Sequence, residues 1–348
     1  MKNIQYYLLR LIVIPVFLIT VLYSSSIIAQ STPKRSLLAL SKTNHTLSIV
    51  DPVTLKIIAR IPVGIDPHEV VASADGKTAY VCIYGGGSFH EINVIDLVAK
   101  KPLRTIDTRP LYGPHDITFV KGKVWFTAEG SKSVGRYDPA TNKLDWSMGT
   151  GENRTHMIYV TPDGKKIYTT NITSGTVSIL TDTLIQPGRM APPNTKPRED
   201  WMQTIVPTAK GSEGFDVSLD GSELWTASSE TGIISIIDLI AKKPGLKIDA
   251  KVNGANRVRF TPDGNLVFVS SLQTGELTIF DAKSYKEIKR LKIGHGAAGI
   301  LMDAPGSRAF VACSPDNYIA IVDLKTLEVT GQLDVGGVPD GLAWALRP

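Results

Sequence analysis

The sequence predicts an all-β protein, a seven-bladed β-propeller whose blades each contain four strands. A strand–turn–strand–turn–strand unit, clearest over residues 151–180, recurs along the chain. Its third strands recur about every 42 to 45 residues, apart from one longer interval, and that period is typical of a propeller blade. The first repeat lacks a first strand, whereas the C-terminal segment 337–344 matches only a first strand. The two ends should therefore complete one blade and close the ring.

Residues 1–29 have the organisation of a secretory signal peptide. Lys2 and Arg10 give the segment a positive start, an apolar run covers residues 11–23, and small residues precede a cleavage point after Ala29. The apolar run is short for a membrane span, so an uncleaved anchor is the weaker alternative. We expect a periplasmic or secreted protein without a membrane span after cleavage, in which residues 30–348 form a single propeller domain.

Composition and charge exclude several classes of protein. The chain is 43% hydrophobic and 20% charged, which is too apolar for a disordered protein. Its formal charge of +5 falls by two, to +3, without Lys2 and Arg10, and basic residues form no run beyond pairs, so there is no specific nucleic-acid signal. Glycine-rich phosphate loops, zinc-finger cysteine spacings and c-type haem motifs are absent from the sequence. Cys82 and Cys313 lie in second strands of different repeats, where we expect buried side chains rather than a disulfide.

Each repeat carries two structural markers. Second strands share a large apolar side chain at one register, which we expect to pack between neighbouring sheets. These residues are Leu37, Tyr80, Trp125, Tyr168, Trp225, Phe268 and Phe310. Third strands end in an apolar-x-apolar-apolar-Asp pattern, whose acid should cap the turn into the fourth strand and have no catalytic role. The acids are Asp51, Asp96, Asp138, Asp238, Asp281 and Asp323, with Thr181 in the remaining copy.

These markers divide the chain into seven blades. Their approximate ranges are 35–61 with 338–346, 66–107, 113–148, 154–206, 213–250, 255–293 and 297–335. The longer interval holds an insertion, residues 186–200, with four prolines and little apolar content. We expect an exposed loop without regular structure there, on the face opposite to the starts of the first strands.

The repeat resembles that of the YVTN-repeat seven-bladed β-propellers. The likeness rests on second strands such as Tyr80-Val81, FVSS at 268–271 and FVAC at 310–313, each between an Asp-Gly-like turn and a strand of Val-x-Val-Ile-Asp type. It extends over residues 35–346 and implies a periplasmic propeller. The more distant relatives that it implies are propeller lactonases and the propeller domains of haem and copper enzymes, so it implies a fold but no single activity.

One position in the repeat concentrates residues that can carry chemistry. The starts of the seven first strands hold His68, His115, His156, Glu213, Asn256, Ala298 and Asp340. Three of the six histidines in the chain therefore occupy this position in consecutive blades. Because first strands line the channel of a propeller and start around one mouth, we expect the polar members of this set, with Arg257, to form a shared ligand-binding site.

Two kinds of chemistry fit this set. The three histidines and Glu213 could hold a transition metal such as zinc, copper or iron, which would relieve repulsion between close imidazoles. Alternatively, His156 and Glu213 could transfer protons on a bound anion whose carboxylate is held by Arg154 or Arg257. His, Glu and Arg around the channel resemble the propeller lactonases, although no specific lactonase motif aligns and no catalytic role is carried over.

Three functions stay open on the sequence alone. The first is an exported propeller, expected to be a monomer, that binds a small ligand or a metal ion at the channel mouth. The second is a lactonase-like hydrolase whose catalytic candidates are His156, Glu213 and Arg257. The third is a scaffold that binds a protein or glycan partner on a flat face, with incidental histidines. Four polar neighbours of the site position are interpreted as turn or surface residues: Glu69, Asp116, Glu129 and Asn171.

Overall fold

A computed structural model describes residues 32–303 and 306–348 of the 348-residue chain. The predicted signal peptide, residues 1–29, lies outside the described residues. Within the described ranges the regular structure is β-strand, apart from three single-turn 3₁₀ segments at Gly85–Gly87, Glu129–Ser131 and Ser314–Asp316. Among the described residues there is no helix with the length and apolar character of a membrane span.

The strands of the described residues form seven antiparallel sheets of four, which are the blades. Blade 1 contains β1 (Arg35–Ser41), β2 (Thr46–Val50), β3 (Ile57–Pro62) and β28 (Pro339–Leu346). Blade 2 contains β4 (Pro67–Ala72), β5 (Thr78–Ile83), β6 (Glu91–Asp96) and β7 (Lys101–Asp107). Blade 3 contains β8 (Pro114–Val120), β9 (Lys123–Ala128), β10 (Ser133–Asp138) and β11 (Lys143–Gly149). Blade 4 contains β12 (Thr155–Val160), β13 (Lys166–Asn171), β14 (Thr176–Ile185) and β15 (Arg198–Pro207). Blade 5 contains β16 (Ser212–Val217), β17 (Glu223–Ser228), β18 (Ile233–Asp238) and β19 (Lys243–Asp249). Blade 6 contains β20 (Ala255–Phe260), β21 (Leu266–Ser271), β22 (Glu276–Asp281) and β23 (Glu287–Lys292). Blade 7 contains β24 (Ile300–Met302), β25 (Arg308–Cys313), β26 (Tyr318–Asp323) and β27 (Glu328–Leu333).

The blades form a closed ring, which confirms the predicted fold class. The first strand of each blade contacts the first strands of both neighbouring blades, in a cycle from β4 through β8, β12, β16, β20 and β24 to β28 and back to β4. β28 pairs with β1 in an antiparallel register that sets Trp344 opposite Leu37. The C-terminal strand therefore completes the blade begun at Arg35, as the sequence predicts, and covers an edge that β1 would otherwise expose.

The core lies between neighbouring sheets. The predicted second-strand side chains are buried in all seven copies: Leu37, Tyr80, Trp125, Tyr168, Trp225, Phe268 and Phe310. Trp225 of blade 5, for example, packs with Val258 and Val267 of blade 6. Burying an apolar side chain of this size stabilises the fold by about 1.5 to 3 kcal/mol, so the repeated register holds one blade against the next. Cys82 and Cys313 are buried and unpaired, as expected.

The aspartates that end the third strands are turn caps. Asp51 accepts the backbone N–H of Val53 at 2.8 Å, and Asp96 accepts that of Val98 at 2.9 Å. Equivalent bonds reach Asp138, Asp238, Asp281 and Asp323. These contacts confirm the structural interpretation of the acids.

The insertion in blade 4 is the end of a long hairpin, which corrects part of the prediction. The sequence predicts irregular structure over residues 186–200, but β15 begins at Arg198, opposite Ile185 of β14. The two strands continue past the edge of the blade because the polar and charged residues 198–200 still pair along their backbone with residues 183–185. Residues 186–197 form the loop, and most of them are exposed, as expected.

Candidate functional site

The six polar members of the predicted site all lie in a repeated β-bulge. In blade 2, Pro67 faces Ile83 but Val70 faces Val81, so one extra residue stands on the first strand. The pairing register changes by one residue in the same way after Pro114, Thr155, Ser212 and Ala255, and before Leu342 in blade 1. A bulge places two residues of one strand against one residue of its partner and redirects their side chains. The site residue and the residue after it therefore depart from regular alternation.

Hydroxyl groups of the second strands fix some of these bulges to the next blade. Thr127 donates a hydrogen bond to the backbone carbonyl of His156 at 2.5 Å. In the same way, the Thr170 hydroxyl donates to the backbone carbonyl of Glu213 at 2.6 Å, and the Ser270 hydroxyl donates to that of Ala298 at 2.7 Å. Because a buried carbonyl without a partner is destabilising, these bonds determine where the site residue of the next blade lies.

The structure brings the three predicted histidines together in a row. The ring centroids of His68 and His115 are 4.7 Å apart, and those of His115 and His156 are 3.7 Å apart. The Tyr84 ring contacts both His68 and His115, at 4.6 and 4.9 Å. Burial, reinforced by His156 and His68, lowers the pKa of His115 well below its ordinary value, so this ring is neutral at pH 7.

A carboxylate orients His156. Glu129 Oε2 lies 2.7 Å from His156 Nδ1, while Glu129 Oε1 accepts hydrogen bonds from Tyr84 at 2.6 Å and from Arg154 Nε at 3.1 Å. Burial alone would lower the pKa of His156, but the contacts with Glu129 and Glu213 outweigh it and raise this pKa. Burial alone would raise the pKa of Glu129, but His156, Tyr84 and Arg154 lower it to about 2. The pair therefore favours a charged imidazole beside a neutral one.

Glu213 faces the other nitrogen of His156. Its Oε1 is 3.7 Å from His156 Nε2 and accepts a hydrogen bond from the Asn256 amide at 2.6 Å. Arg257 Nη1 is 3.9 Å away. Burial would raise the pKa of Glu213, but His156 and Arg257 lower it, so Glu213 is a carboxylate.

Arg257 forms a buried ion pair with Glu69 instead of presenting a free guanidinium. Its guanidinium bonds to the Glu69 carboxylate and also donates to Asn256 Oδ1 at 3.2 Å. The two charged side chains are only 4% and 11% exposed. The pair joins blades 6 and 2, and the two blades between them carry Gly299 and Gly341 at the equivalent position, where side chains are absent. The predicted role of Arg257 in holding a ligand carboxylate is therefore weakened, because its charge is already balanced.

Lys42, in the turn between β1 and β2, completes the cluster. Its Nζ lies 2.7 Å from Asp340 Oδ2 and 3.0 Å from His68 Nε2. Asp66 lies 3.2 Å from His68 Nδ1, and this contact lowers the pKa of Asp66 to about 2. Burial would raise the pKa of Asp340, but Lys42 and His68 lower it. His68 thus lies between Asp66 and Lys42, and Lys42 in turn pairs with Asp340.

These groups line a cavity of about 290 Å³, near the lower end of the usual size of small-molecule sites. The lining contains all six polar site residues and Arg257, together with Lys42, Tyr84, Arg154, Leu272, Ala298, Ser314 and Val338. Fixed charges of both signs and imidazoles face one space, so the cavity can donate and accept hydrogen bonds and exchange protons.

The arrangement does not support the predicted metal site. Across residues 32–303 and 306–348, no group of three His, Cys, Asp or Glu side chains is placed to hold a metal ion. Glu129 occupies Nδ1 of His156, Lys42 lies against Nε2 of His68, and the rings of His115 and His156 pack against each other. The imidazole lone pairs therefore do not converge on one point, as a metal ion requires.

Several members of the cluster are not evident from the sequence. Glu69 and Glu129, interpreted as surface or turn residues, contact Arg257 and His156. Lys42 and Tyr84 lie outside the repeat position on which the prediction rests. The other two neighbours, Asp116 and Asn171, form hydrogen bonds outside the cluster. Asp116 accepts the backbone N–H of Ile158 at 2.7 Å, and the Asn171 side chain donates to the Ser178 hydroxyl at 2.9 Å.

No protein-family model and no curated protein matches the chain. Solved structures match over most of it. One, a protein of unknown function from Desulfotomaculum acetoxidans, has 13% identity and a TM-score of 0.71, and the match covers 90% of this chain and 99% of that one. Another is a Bacteroides fragilis protein provisionally assigned as a 6-phosphogluconolactonase, with 15% identity, a TM-score of 0.70 and the same coverage.

A third solved structure is the dihydro-heme d1 dehydrogenase NirN in complex with DHE, with 16% identity and a TM-score of 0.61. That match covers 90% of this chain and 75% of that one. At these identities the similarity shows the seven-bladed fold alone. The YVTN resemblance therefore stays a prediction.

Proposed function

We propose that the protein binds a small polar molecule in the cavity at the starts of the first strands. The observation that carries this proposal is a pair of buried imidazole nitrogens. Among the described residues, His115 Nδ1 and His156 Nε2 have no hydrogen-bond partner, although the two rings are 2% and 3% exposed and both line the cavity. Buried polar atoms are nearly always satisfied in folded proteins. A bound molecule that supplies the missing hydrogen bonds would gain about 1 to 3 kcal/mol at each.

The remaining lining supports the same role. Arg154 is half exposed, and the side chains of Glu213 and Lys42 are 18% and 23% exposed, so charged groups remain accessible from the cavity. Export directed by residues 1–29, as the sequence predicts, would place this site in the periplasm or outside the cell.

An NMR screen tests the binding proposal. Histidine-ring signals are followed while small sugars, hydroxy acids, amines and lactones are added in turn. A ligand should shift the signals of His115 and His156. The signal of the exposed His295 should not change and serves as an internal control. The double variant His68→Ala/His115→Ala, checked for its fold by circular dichroism, should lose the response. A ligand that binds the double variant as well as the parent protein would contradict the shared site.

A second candidate function is the hydrolysis of a lactone, favoured by the orientation of His156. Its Nδ1 is held by Glu129 and its Nε2 lies 3.7 Å from Glu213, which is how a general base is held by an orienting carboxylate. In this reaction, water attacks the lactone carbonyl carbon while His156 accepts the proton that water loses. The ring C–O bond then breaks, and His156 returns that proton to the departing oxygen, giving a hydroxy acid. The similarity to a provisionally assigned lactonase agrees with this candidate only at the level of the fold.

A lactone panel tests the second candidate. His156→Ala should reduce turnover by about 10²- to 10⁴-fold if the ring is the general base. Glu213→Gln should also reduce turnover, whereas Glu152→Gln, which alters a carboxylate that bonds Thr176 instead of His156, should not. Absence of turnover above background across the panel rejects hydrolysis and leaves the binding proposal in place.

A further inference from the structure

The charges around the cavity are not balanced. Its three permanent cations each lie against a carboxylate: Lys42 against Asp340, Arg154 against Glu129, and Arg257 against Glu69. Two further carboxylates, Glu213 and Asp66, have imidazoles as their nearest positively chargeable partners. Five carboxylates therefore face three permanent cations, and an added anion would increase the imbalance.

Glu213 is the acid in the cavity lining that lacks a cation at hydrogen-bond distance. Its contacts are the neutral amide of Asn256 at 2.6 Å, His156 Nε2 at 3.7 Å and Arg257 Nη1 at 3.9 Å. Arg257 cannot move fully to Glu213 without leaving Glu69 buried and unpaired. The carboxylate can therefore accept a further hydrogen bond from a charged donor.

The unpartnered imidazole nitrogens point to the same ligand chemistry. His115 is 2% exposed and neutral, and its Nδ1 lacks a partner among the described residues. A neutral imidazole has one nitrogen that accepts a hydrogen bond, and His156 Nε2 is an acceptor whenever Nδ1 carries the proton toward Glu129. When His156 is neutral, Glu213, His156 Nε2 and the unprotonated nitrogen of His115 together form a surface rich in acceptors. The Tyr84 ring lines the same cavity and adds an aromatic surface that favours a cation.

We infer that the ligand of this cavity is a small organic cation with several N–H donors, such as a primary ammonium compound, and that Glu213 is its counter-charge. The inference rests on the proposed binding function and specifies its ligand class. The ammonium donates one hydrogen bond to Glu213 and others to the imidazole acceptors, so one charged group satisfies the carboxylate and the buried nitrogens.

Protonation of His156 competes with such a ligand, because an imidazolium can also balance Glu213. The titratable and charged groups that face Glu213 are His156 on β12, Arg257 on β20, and Arg154 ahead of β12. The arginines stay charged, so His156 determines the pH dependence. Its pKa is raised, and the ligand should therefore bind more weakly as pH falls through that value.

Three probes of similar size and different charge test this inference: ethanolammonium, ethylene glycol and glycolate. Each is titrated into the full mature chain at about pH 8 and about pH 5.5 while the ring signals of His115 and His156 are followed by NMR. Ethanolammonium should bind at least about tenfold more tightly than either of the others at the higher pH, and more weakly at the lower pH. Glu213→Gln should weaken the binding of ethanolammonium about tenfold. Glu328 is an exposed acid of β27, and Glu328→Gln should change that affinity less than about twofold.

The outcomes separate this inference from the binding proposal. If glycolate or ethylene glycol binds as tightly as ethanolammonium, the inference that the ligand is a cation is refuted, but the proposal that the cavity binds a small molecule stands. Unchanged ethanolammonium binding in Glu213→Gln would overturn the role of Glu213 and the inference with it. If none of the three probes moves either ring signal, the inference falls, and the screen with larger molecules then decides the binding proposal.

Discussion

The Glu69–Arg257 pair gives the sharpest test of how the channel mouth is built. Replacing Glu69 by Gln keeps the size of the side chain and removes its charge. The Arg257 guanidinium then stays buried, at 4% exposure, with Asn256 as its hydrogen-bonding partner and Glu213 at 3.9 Å. Breaking a buried ion pair by removing one partner destabilises a protein by about 3 to 5 kcal/mol, because the remaining charge is uncompensated.

The expected change in melting temperature follows from the size of the domain. The propeller unit, residues 32–348, has an unfolding entropy of about 0.7 kcal/mol per kelvin at roughly 2.1 cal/mol/K per residue. Glu69→Gln should therefore lower Tm by about 4 to 8 °C. Arg257→Gln should also lower Tm, since it leaves the Glu69 carboxylate unpaired. The double variant should recover most of the loss, because neither charge is then buried alone.

Calorimetry on the two single variants, the double variant and one control decides the matter. Glu276→Gln removes one of the two acidic partners of Arg290, in a pair whose side chains are about 30% exposed, and it should cost less than about 1 kcal/mol. If Glu69→Gln lowers Tm no more than Glu276→Gln does, the Glu69–Arg257 pair does not have the energetics of a buried ion pair, and the reasoning is refuted. A double variant as unstable as the sum of the single variants would also refute the reasoning, because it would show no coupling between the two residues.

Three further predictions rest on other contacts in the structure. Glu129→Gln should lower the pKa of His156, because burial then acts without the carboxylate that opposes it; NMR titration measures this, with Glu152→Gln as the control and an unchanged pKa as the contrary result. Burial and a neighbouring carboxylate raise the pKa of Asp116 from 3.8 to about 6, so the folded protein retains a proton that the unfolded chain releases, and stability should fall as pH rises between these values. Asp116→Asn should remove that slope in chemical denaturation, and a slope that persists would contradict the assignment. Deleting residues 338–348 should abolish cooperative unfolding and promote association through the uncovered edge of β1; a monomer with a sharp thermal transition would contradict this.

The repeat made the fold and part of the site predictable. Each copy of the motif occupies an equivalent place around the axis, so residues that share a repeat position must lie near one another once the ring closes. His68, His115 and His156 therefore meet although about forty residues separate each from the next. The same reasoning placed Trp225 and its equivalents between sheets. Both predictions need only the period and the closure of the ring.

The rest of the cluster depends on geometry that a period does not contain. Regular alternation directs Glu69 away from its neighbour His68, but the bulge ends that alternation and lets Glu69 reach Arg257, three blades away around the ring. Glu129 directly follows the second strand of blade 3 and contacts His156 of blade 4, a contact that depends on the distance between the two blades. Lys42 comes from a turn whose direction the strands alone do not determine.

The backbone just before the site residue has an unusual conformation at two charged members of the cluster, Asp66 and Arg154. The residue two positions before the site residue has a left-handed conformation in blades 1 to 6, where Gly113, Gly211 and Gly254 adopt it without strain. Asp66, at φ 60°, and Arg154, at φ 57°, hold the same conformation with a side chain present, which costs of order 1 kcal/mol each. Both side chains bond into the cluster, Asp66 to His68 and Arg154 to Glu129. The apolar Val338 of blade 1 holds the same conformation at φ 53°, so the conformation alone does not identify a functional residue. The bonds to His68 and Glu129 are what assign Asp66 and Arg154 to the site.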